Sequence, residues 1–227
     1  MDWKEHQLDL LSGKKRGSEV MQAVNLTFAA IIAYMLGSVN TSIIVGKIKG
    51  IDIRQHGSGN AGATNTLRTL GKSSAVMVLV GDILKGVLGV LIGMYLDPEF
   101  GKYVAGVAAV LGHNYPVFFG FKGGKGILTS AAVIFMIDWK MGLTLLAIAL
   151  AIMAVTRYVS LGSVVGSLLF PIIVVVFYKG QNTFYQYLTF ATIIAVLAIY
   201  RHKANIQRLM NGTESKLGSK NKETVKK

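Results

Sequence analysis

Four short segments of the chain carry small, hydrogen-bonding and cationic side chains at spacings suited to holding an anion. The first, Gly57-Ser58-Gly59-Asn60-Ala61-Gly62-Ala63-Thr64-Asn65, lies between Arg54 and Arg68. Its glycines let backbone N–H groups approach an anion with no Cβ in the way. Ser58, Asn60, Thr64 and Asn65 add donors, and the Arg68 guanidinium is a planar fork matched to phosphate oxygens. A flexible turn between helices has the same composition, so this segment alone leaves both readings open. The second, Phe121-Lys122-Gly123-Gly124-Lys125-Gly126, runs straight into an apolar stretch at Ile127. A helix N-terminus beside a lysine presents free N–H groups and the positive end of the helix dipole to an anion. It is not a Walker loop, because Phe119 stands where the first glycine belongs and Gly126, not Ser or Thr, follows Lys125. Nucleoside triphosphate hydrolysis is therefore disfavoured. The plainer reading of Lys122 and Lys125 is a pair of topology markers. The third segment, Arg157-Tyr158-Val159-Ser160-Leu161-Gly162-Ser163, adds two serine hydroxyls. The fourth holds His202 and Asn205, three residues apart on one helix face, among Arg201, Lys203 and Arg208. Histidine can orient or transfer protons near neutral pH, although a basic helix at the headgroups would look the same.

The elements that position these segments are membrane helices. Of 227 residues, 52% are hydrophobic and 15% charged, and the mean hydropathy is +0.50, too apolar for a soluble domain of this size. The apolar residues come in long runs with no water-facing stripe. A helical span takes roughly 20 residues. Stretches 21–45, 73–96, 161–178 and 183–200 fit that length, and 103–119 is a fifth. Two short pieces, 127–137 and 141–156, flank Asp138, Trp139 and Lys140 and form either two short spans or one re-entrant hairpin. The expected fold is all-α, a polytopic transmembrane bundle of about seven helices, two of them short. A polar extension, 1–20, precedes the domain at 21–214, and a basic tail, 215–227, is expected to be disordered or to lie against anionic lipid headgroups.

A formal net charge of +13 raises the question of nucleic acid, but basic loops flanking apolar spans are how membrane proteins set their orientation. Lys47, Lys49, Arg54, Arg68, Lys72, Lys122, Lys125, Arg157 and the segment from Arg201 onward share one face, while the opposite loops are short and nearly balanced. Positive charge stays inside, which predicts a cytoplasmic C-terminus and an external N-terminus. Lys14, Lys15 and Arg16 run against that bias. There is no cysteine, and His6, His56, His113 and His202 lack ligand-like spacing, so neither thiolate chemistry nor a metal site is expected. Residues 1–19 do not form a typical signal peptide. Asp82 and Lys85 sit at i and i+3 inside the second span, where ionisable groups are paired or functional, and His113 is placed to face the same cavity.

Three of these segments together resemble the signature motifs of the bacterial acyl-phosphate-dependent glycerol-3-phosphate acyltransferase family. They are 57–65 with Arg68; Gly112-His113-Asn114-Tyr115-Pro116 through Lys122-Gly123-Gly124-Lys125-Gly126; and Arg201-His202-Lys203-Ala204-Asn205-Ile206 through Gly212-Thr213-Glu214. The likeness covers about residues 36–214. It implies transfer of a fatty acyl group from acyl phosphate to the 1-hydroxyl of glycerol 3-phosphate, giving lysophosphatidic acid and phosphate, in a bacterial plasma membrane with the active site facing the cytoplasm. Carried over by motif, Ser58 and Arg68 would hold phosphate or donor, and Lys125 with Gly123 and Gly124 the substrate phosphate. Asn60 and Asn65 are further binding candidates, Ser163 would join the polar pocket, and His202 with Asn205 would line the reaction centre. Ser58, His202 and Asn205 form the candidate catalytic set, and Glu214 falls at a position that supports structure. No cofactor, nucleic acid or obligate protein partner is expected. The sequence departs from the family pattern at Asn40-Thr41-Ser42, where Pro-Phe-Gly is common. No histidine has an aspartate at the His-x-x-x-x-Asp spacing, which makes acyl-CoA dependence less attractive. A donor phosphate oxygen taking the proton, or a histidine base, are both compatible with these residues. A transporter of phosphorylated solutes is the rival reading, since it would use the same cationic loops.

Overall fold

The computed structural model describes residues 3–218 and is all-helical over them. The helices are α1 (Trp3–Ser38), α2 (Thr41–Ile48), α3 (Ala63–Leu96), α4 (Gly101–Asn114), α5 (Ile127–Ile137), α6 (Trp139–Thr156), α7 (Val159–Tyr178), α8 (Phe184–Arg201) and α9 (Lys203–Met210), with 3-10 turns at Ile53–Gln55 and Val117–Phe119. Five stretches, Lys15–Ile48, Ala63–Leu96, α6, α7 and α8, are long and apolar enough to cross a membrane. Helices α4 and α5 have 14 and 11 residues. At 1.5 Å per residue they reach about 21 and about 16 Å, short of a hydrocarbon core of roughly 30 Å. The short pair is thus α4 and α5, whereas α6 is a full-length helix.

Helix ends depart from the apolar runs for local reasons. The run 21–45 breaks after Ser38 because the Asn40 side chain accepts from Ile43 N at 3.1 Å and caps α2. Ser42 Oγ then pairs with Thr66 Oγ1 at 2.8 Å, so the unusual Asn40-Thr41-Ser42 triplet ties α2 to α3. Helix α3 starts at Ala63, ten residues before the expected span, and is broken at Gly71 (φ 82, ψ −176). That left-handed backbone suits glycine alone at little cost, and it separates a polar turn from the membrane segment. Helix α4 stops at Asn114 instead of running to 119, since Pro116 disfavours helical backbone at Tyr115. Helix α1 continues through the polar stretch at 3–20 without a break.

Helices α1 and α4 pack through Ala29, Ala33, Ala105 and Ala109, all fully buried, the small-residue seam that lets membrane helices approach closely. A second core joins α4, α7 and α8 through Tyr103, Phe170, Tyr187 and Phe190, with Phe170 edge-on to Phe190 at 5.9 Å. At the end of the bundle away from the glycine-rich loops, Asp138 caps α6 and accepts the Tyr178 hydroxyl. Helix α3 packs on α1, α4 and α5, while α6 packs on α5 and α7. Between α3 and the α6–α7 pair, α5 therefore forms the floor of a cleft.

Candidate active site

The polar loops meet at one end of the bundle. Arg54 pairs with Asp52 at 2.8 Å and donates through Nη1 to the Phe119 carbonyl at 3.0 Å, which joins the first loop to the second. Asn65 knots the first loop: its Oδ1 accepts from Ser58 N at 2.8 Å, and its Nδ2 donates to the Ile53 and His56 carbonyls. This knot presents Ser58 and Asn60 toward the cleft while Asn65 itself is buried. The second loop reaches α9 through Lys125, whose Nζ donates to Asn205 Oδ1 at 2.5 Å.

Ser58, Asn60, Asn65, Arg68, Lys125, Ser163, His202 and Asn205 all line a single cavity of about 650 Å³. Gly123 and Gly124 do not line it. A Cβ on Gly124 would strike the His113 imidazole and the Ala61 carbonyl, and one on Gly123 the His113 carbonyl, so these glycines serve close backbone packing behind Lys125. Asn65 is committed to the loop by three hydrogen bonds, which makes it an organiser of the loop that presents Ser58. The cavity also takes in residues the sequence did not single out for it: Lys72, just past the Gly71 break, and Ser215. Lys72 read as one more topology charge, and Ser215 fell in the expected tail. Residues 215–218 are in fact tied down, with Arg68 Nη2 donating to Ser215 O at 3.4 Å and Leu217 N to Arg157 O at 2.7 Å. The remainder of the tail, 219–227, lies outside the described residues.

Glu214 organises the fourth side of the mouth. Its Oε1 accepts from Asn205 Nδ2 at 2.7 Å and Ser160 Oγ at 2.8 Å, and its Oε2 accepts from Arg208 Nε at 2.7 Å. Burial alone would raise this carboxyl, but the hydrogen bonds from Asn205, Arg208 and Ser160 outweigh it and hold the pKa below the ordinary value. A relay thus runs from Lys125 through Asn205 to Glu214 and fixes which way the Asn205 amide faces. Burial, opposed by Glu214 and reinforced by the charges of Arg208, Arg68 and Arg201, brings the Lys125 ammonium down to about 8. His202 is pushed down to about 4, chiefly by burial and then by the Lys125 charge, so it is neutral at neutral pH. Its Nδ1 lies 2.7 Å from the Ala198 carbonyl. A neutral ring donating there leaves Nε2 as an acceptor.

Beyond this cationic mouth the cavity becomes apolar, running between α3 (Val76, Leu79), α5 (Leu128, Ile134), α6 (Leu145, Ala149) and α7 (Phe170). Asp82 and His113 reach its wall. Asp82 Oδ1 lies 2.9 Å from Lys85 Nζ and 3.4 Å from His113 Nδ1, all three groups buried.

Fold and cavity together define a polytopic helical membrane protein in which cationic and hydrogen-bonding side chains open onto an apolar channel. Residues 27–212 match the family described as Glycerol-3-phosphate acyltransferase, and the chain belongs to that family. It is 50% identical over 192 residues to the glycerol-3-phosphate acyltransferase of Thermoanaerobacter sp. (strain X514), covering 84% of this chain and 95% of the relative. It is 43% identical over 207 residues to that of Clostridioides difficile (strain 630), covering 88% and 99%. The crystal structure of PlsY (YgiH), an integral membrane glycerol 3-phosphate acyltransferase in its glycerol 3-phosphate form, superposes with a TM-score of 0.77 at 41% identity, over 85% of this chain and 96% of that one. Its lysophosphatidic acid form gives 0.75 at 40% identity. This protein is accordingly a membrane acyltransferase of the glycerol 3-phosphate class.

Proposed function

We propose that the protein transfers a fatty acyl group from acyl phosphate to the 1-hydroxyl of glycerol 3-phosphate at the cytoplasmic face of a bacterial plasma membrane, with the N-terminus outside and the C-terminus inside. The observation that carries this reading is the single cavity in which Arg68, Lys125, Ser58 and Ser163 line a polar mouth continuous with an apolar arm. Two phosphorylated substrates, one with a long hydrocarbon tail, need that combination. The glycerol hydroxyl oxygen forms a bond to the acyl carbon, the carbon–oxygen bond to phosphate breaks, and phosphate leaves with the electron pair. The hydroxyl proton passes to a donor phosphate oxygen, because the mixed anhydride already carries a good leaving group and His202, held down to about 4 by burial, is a weak base. His202 Nε2 and the Asn205 amide orient the attacking group, while Arg68, Lys125 and the hydroxyls stabilise developing charge.

Protein purified in detergent, given acyl phosphate and glycerol 3-phosphate, should release phosphate and lysophosphatidic acid with no compartment present. Acyl-CoA or acyl carrier protein outcompeting acyl phosphate would reverse the donor assignment, and no turnover with any donor would end the reading.

The pH dependence follows from Lys125. Its pKa is lowered, so the ammonium is present below about 8 and lost as pH rises through that value. Because kcat/KM reports the free enzyme, kcat/KM for glycerol 3-phosphate should fall about tenfold per pH unit above about 8, whereas kcat should hold to higher pH because a bound phosphate keeps the proton on. Lys125→Arg should remove that alkaline limb, as arginine stays charged throughout. A limb that survives the substitution would assign it to another group.

A further inference from the structure

Arg201 is the last residue of α8 and is not among the side chains that line the cavity. Its guanidinium is engaged elsewhere. Nε donates to the Gly124 carbonyl at 3.0 Å and Nη2 to the Gly123 carbonyl at 3.1 Å, and the guanidinium carbon lies 5.0 Å over the Tyr115 ring. Tyr115 is itself held, its carbonyl accepting from Tyr34 Oη at 2.7 Å.

Two successive carbonyls turned toward one cation are a strong orientational constraint. In a trans peptide the C=O and the following N–H point in opposite directions. Drawing the Gly123 carbonyl to Arg201 therefore sends the Gly124 N–H the other way, where it donates to the His113 carbonyl at 3.2 Å. Drawing the Gly124 carbonyl to Arg201 likewise turns the Lys125 N–H away from it, and Lys125 leaves the loop toward the cavity. The loop is gripped on both sides, by a guanidinium and by a backbone carbonyl, and the glycines permit the grip because any Cβ would strike His113. Arg201 and His202 are also consecutive residues, so one helix end delivers the grip to the loop and the imidazole to the cavity.

We propose that Arg201 is a positioning residue, which by holding the Gly123 and Gly124 carbonyls fixes the Lys125 ammonium against Asn205 and the substrate phosphate. The step from grip to turnover rests on the function proposed above; the grip itself does not. A lysine cannot replace it, since a point ammonium lacks the planar fork that serves two carbonyls at once.

The test pairs an activity cycle with hydrogen exchange. Arg201→Ala and Arg201→Lys should each lower kcat/KM by about 100-fold, the loss that a displacement on the order of 1 Å imposes on an oriented group. In the Lys125→Ala background the Arg201→Ala substitution should cost less than about threefold more, because residues acting through one another do not add. Radiolabelled lysophosphatidic acid makes the residual rates measurable. Independently of turnover, amides in 123–126 should exchange at least tenfold faster in Arg201→Lys while those of α7 and α8 stay unchanged. Unaltered loop exchange would overturn the grip, and losses that multiply would overturn its action through Lys125. A wild-type protein without turnover would sink the proposed function, with the exchange data still deciding the grip.

Discussion

Lys125→Ala should lower kcat/KM for glycerol 3-phosphate by on the order of 10³-fold, the scale at which preorganised donors and cations at transferring groups act. The ammonium is partly buried at the mouth of the cavity and donates to Asn205 Oδ1 at 2.5 Å. Its placement is set by the glycine loop behind it and by the relay through Asn205 to Glu214 in front. In such a site a cation acts at low local dielectric and needs no reorganisation when charge moves onto the leaving phosphate. Alanine removes the charge and also frees the Asn205 carbonyl oxygen to rotate away, so the loss has two parts. Lys125→Arg should recover part of the rate, because it restores charge with a different reach. The measurement is phosphate release and lysophosphatidic acid formation in detergent, with melting temperature as the control for folding. A folded Lys125→Ala protein within tenfold of wild type would remove Lys125 from the phosphate site.

The same substitution shows why sequence reading picked out residues that line the cavity but not the arrangement behind them. Lys125, His202 and Asn205 stand out locally, by a glycine-rich entry to a helix and by a three-residue spacing, and each does line the cavity. Arg201 is adjacent to His202, yet its partners lie 77 and 78 positions away, a distance over which neither periodicity nor composition carries information. Lys72 counted as one more positive-inside charge because nothing before the fold distinguishes it from Lys47 or Lys49. Gly71 was the available signal, since a glycine just ahead of a long apolar run marks a possible break. Glu214 was expected to support structure, and the three hydrogen bonds it accepts give that support a physical form.

Hydrocarbon-scale runs were legible for a simpler reason. A span must be apolar over its whole length, so α3, α7 and α8 each end within two residues of the run that announced their C-terminus. Beginnings and interruptions depend instead on single side chains. Asn40 splits the first run, Pro116 shortens the third, and the mixed stretch 63–70 coils into helix ahead of the second. Sidedness relative to the bilayer rests on summed loop charge; the basic loops do share one end of the bundle.

Lys85→Met should destabilise the folded protein by about 3–5 kcal/mol, the cost of leaving one member of a buried ion pair without its partner. Lys85 Nζ stands 2.9 Å from Asp82 Oδ1 and donates to the Val39 carbonyl at 3.2 Å, so it joins α3 to the break between α1 and α2. Asp82 keeps little exposure through which water could compensate it, because both side chains are almost entirely buried. With the ammonium gone, the remaining nearby cationic candidate for the carboxylate is His113 at 3.4 Å, and charging a buried imidazole carries its own desolvation cost. Removing both charges avoids that penalty: an Asp82→Asn, Lys85→Met double variant should recover at least half of the lost stability, since a neutral pair leaves no orphaned charge. Thermal melts in detergent report the ordering directly. A single variant as stable as wild type, or a double variant less stable than the single one, would mean that the pair is not an obligate couple. The Asp82 carboxylate would then be held by His113, whose Nδ1 stands 3.4 Å from the same oxygen and is the first contact to probe.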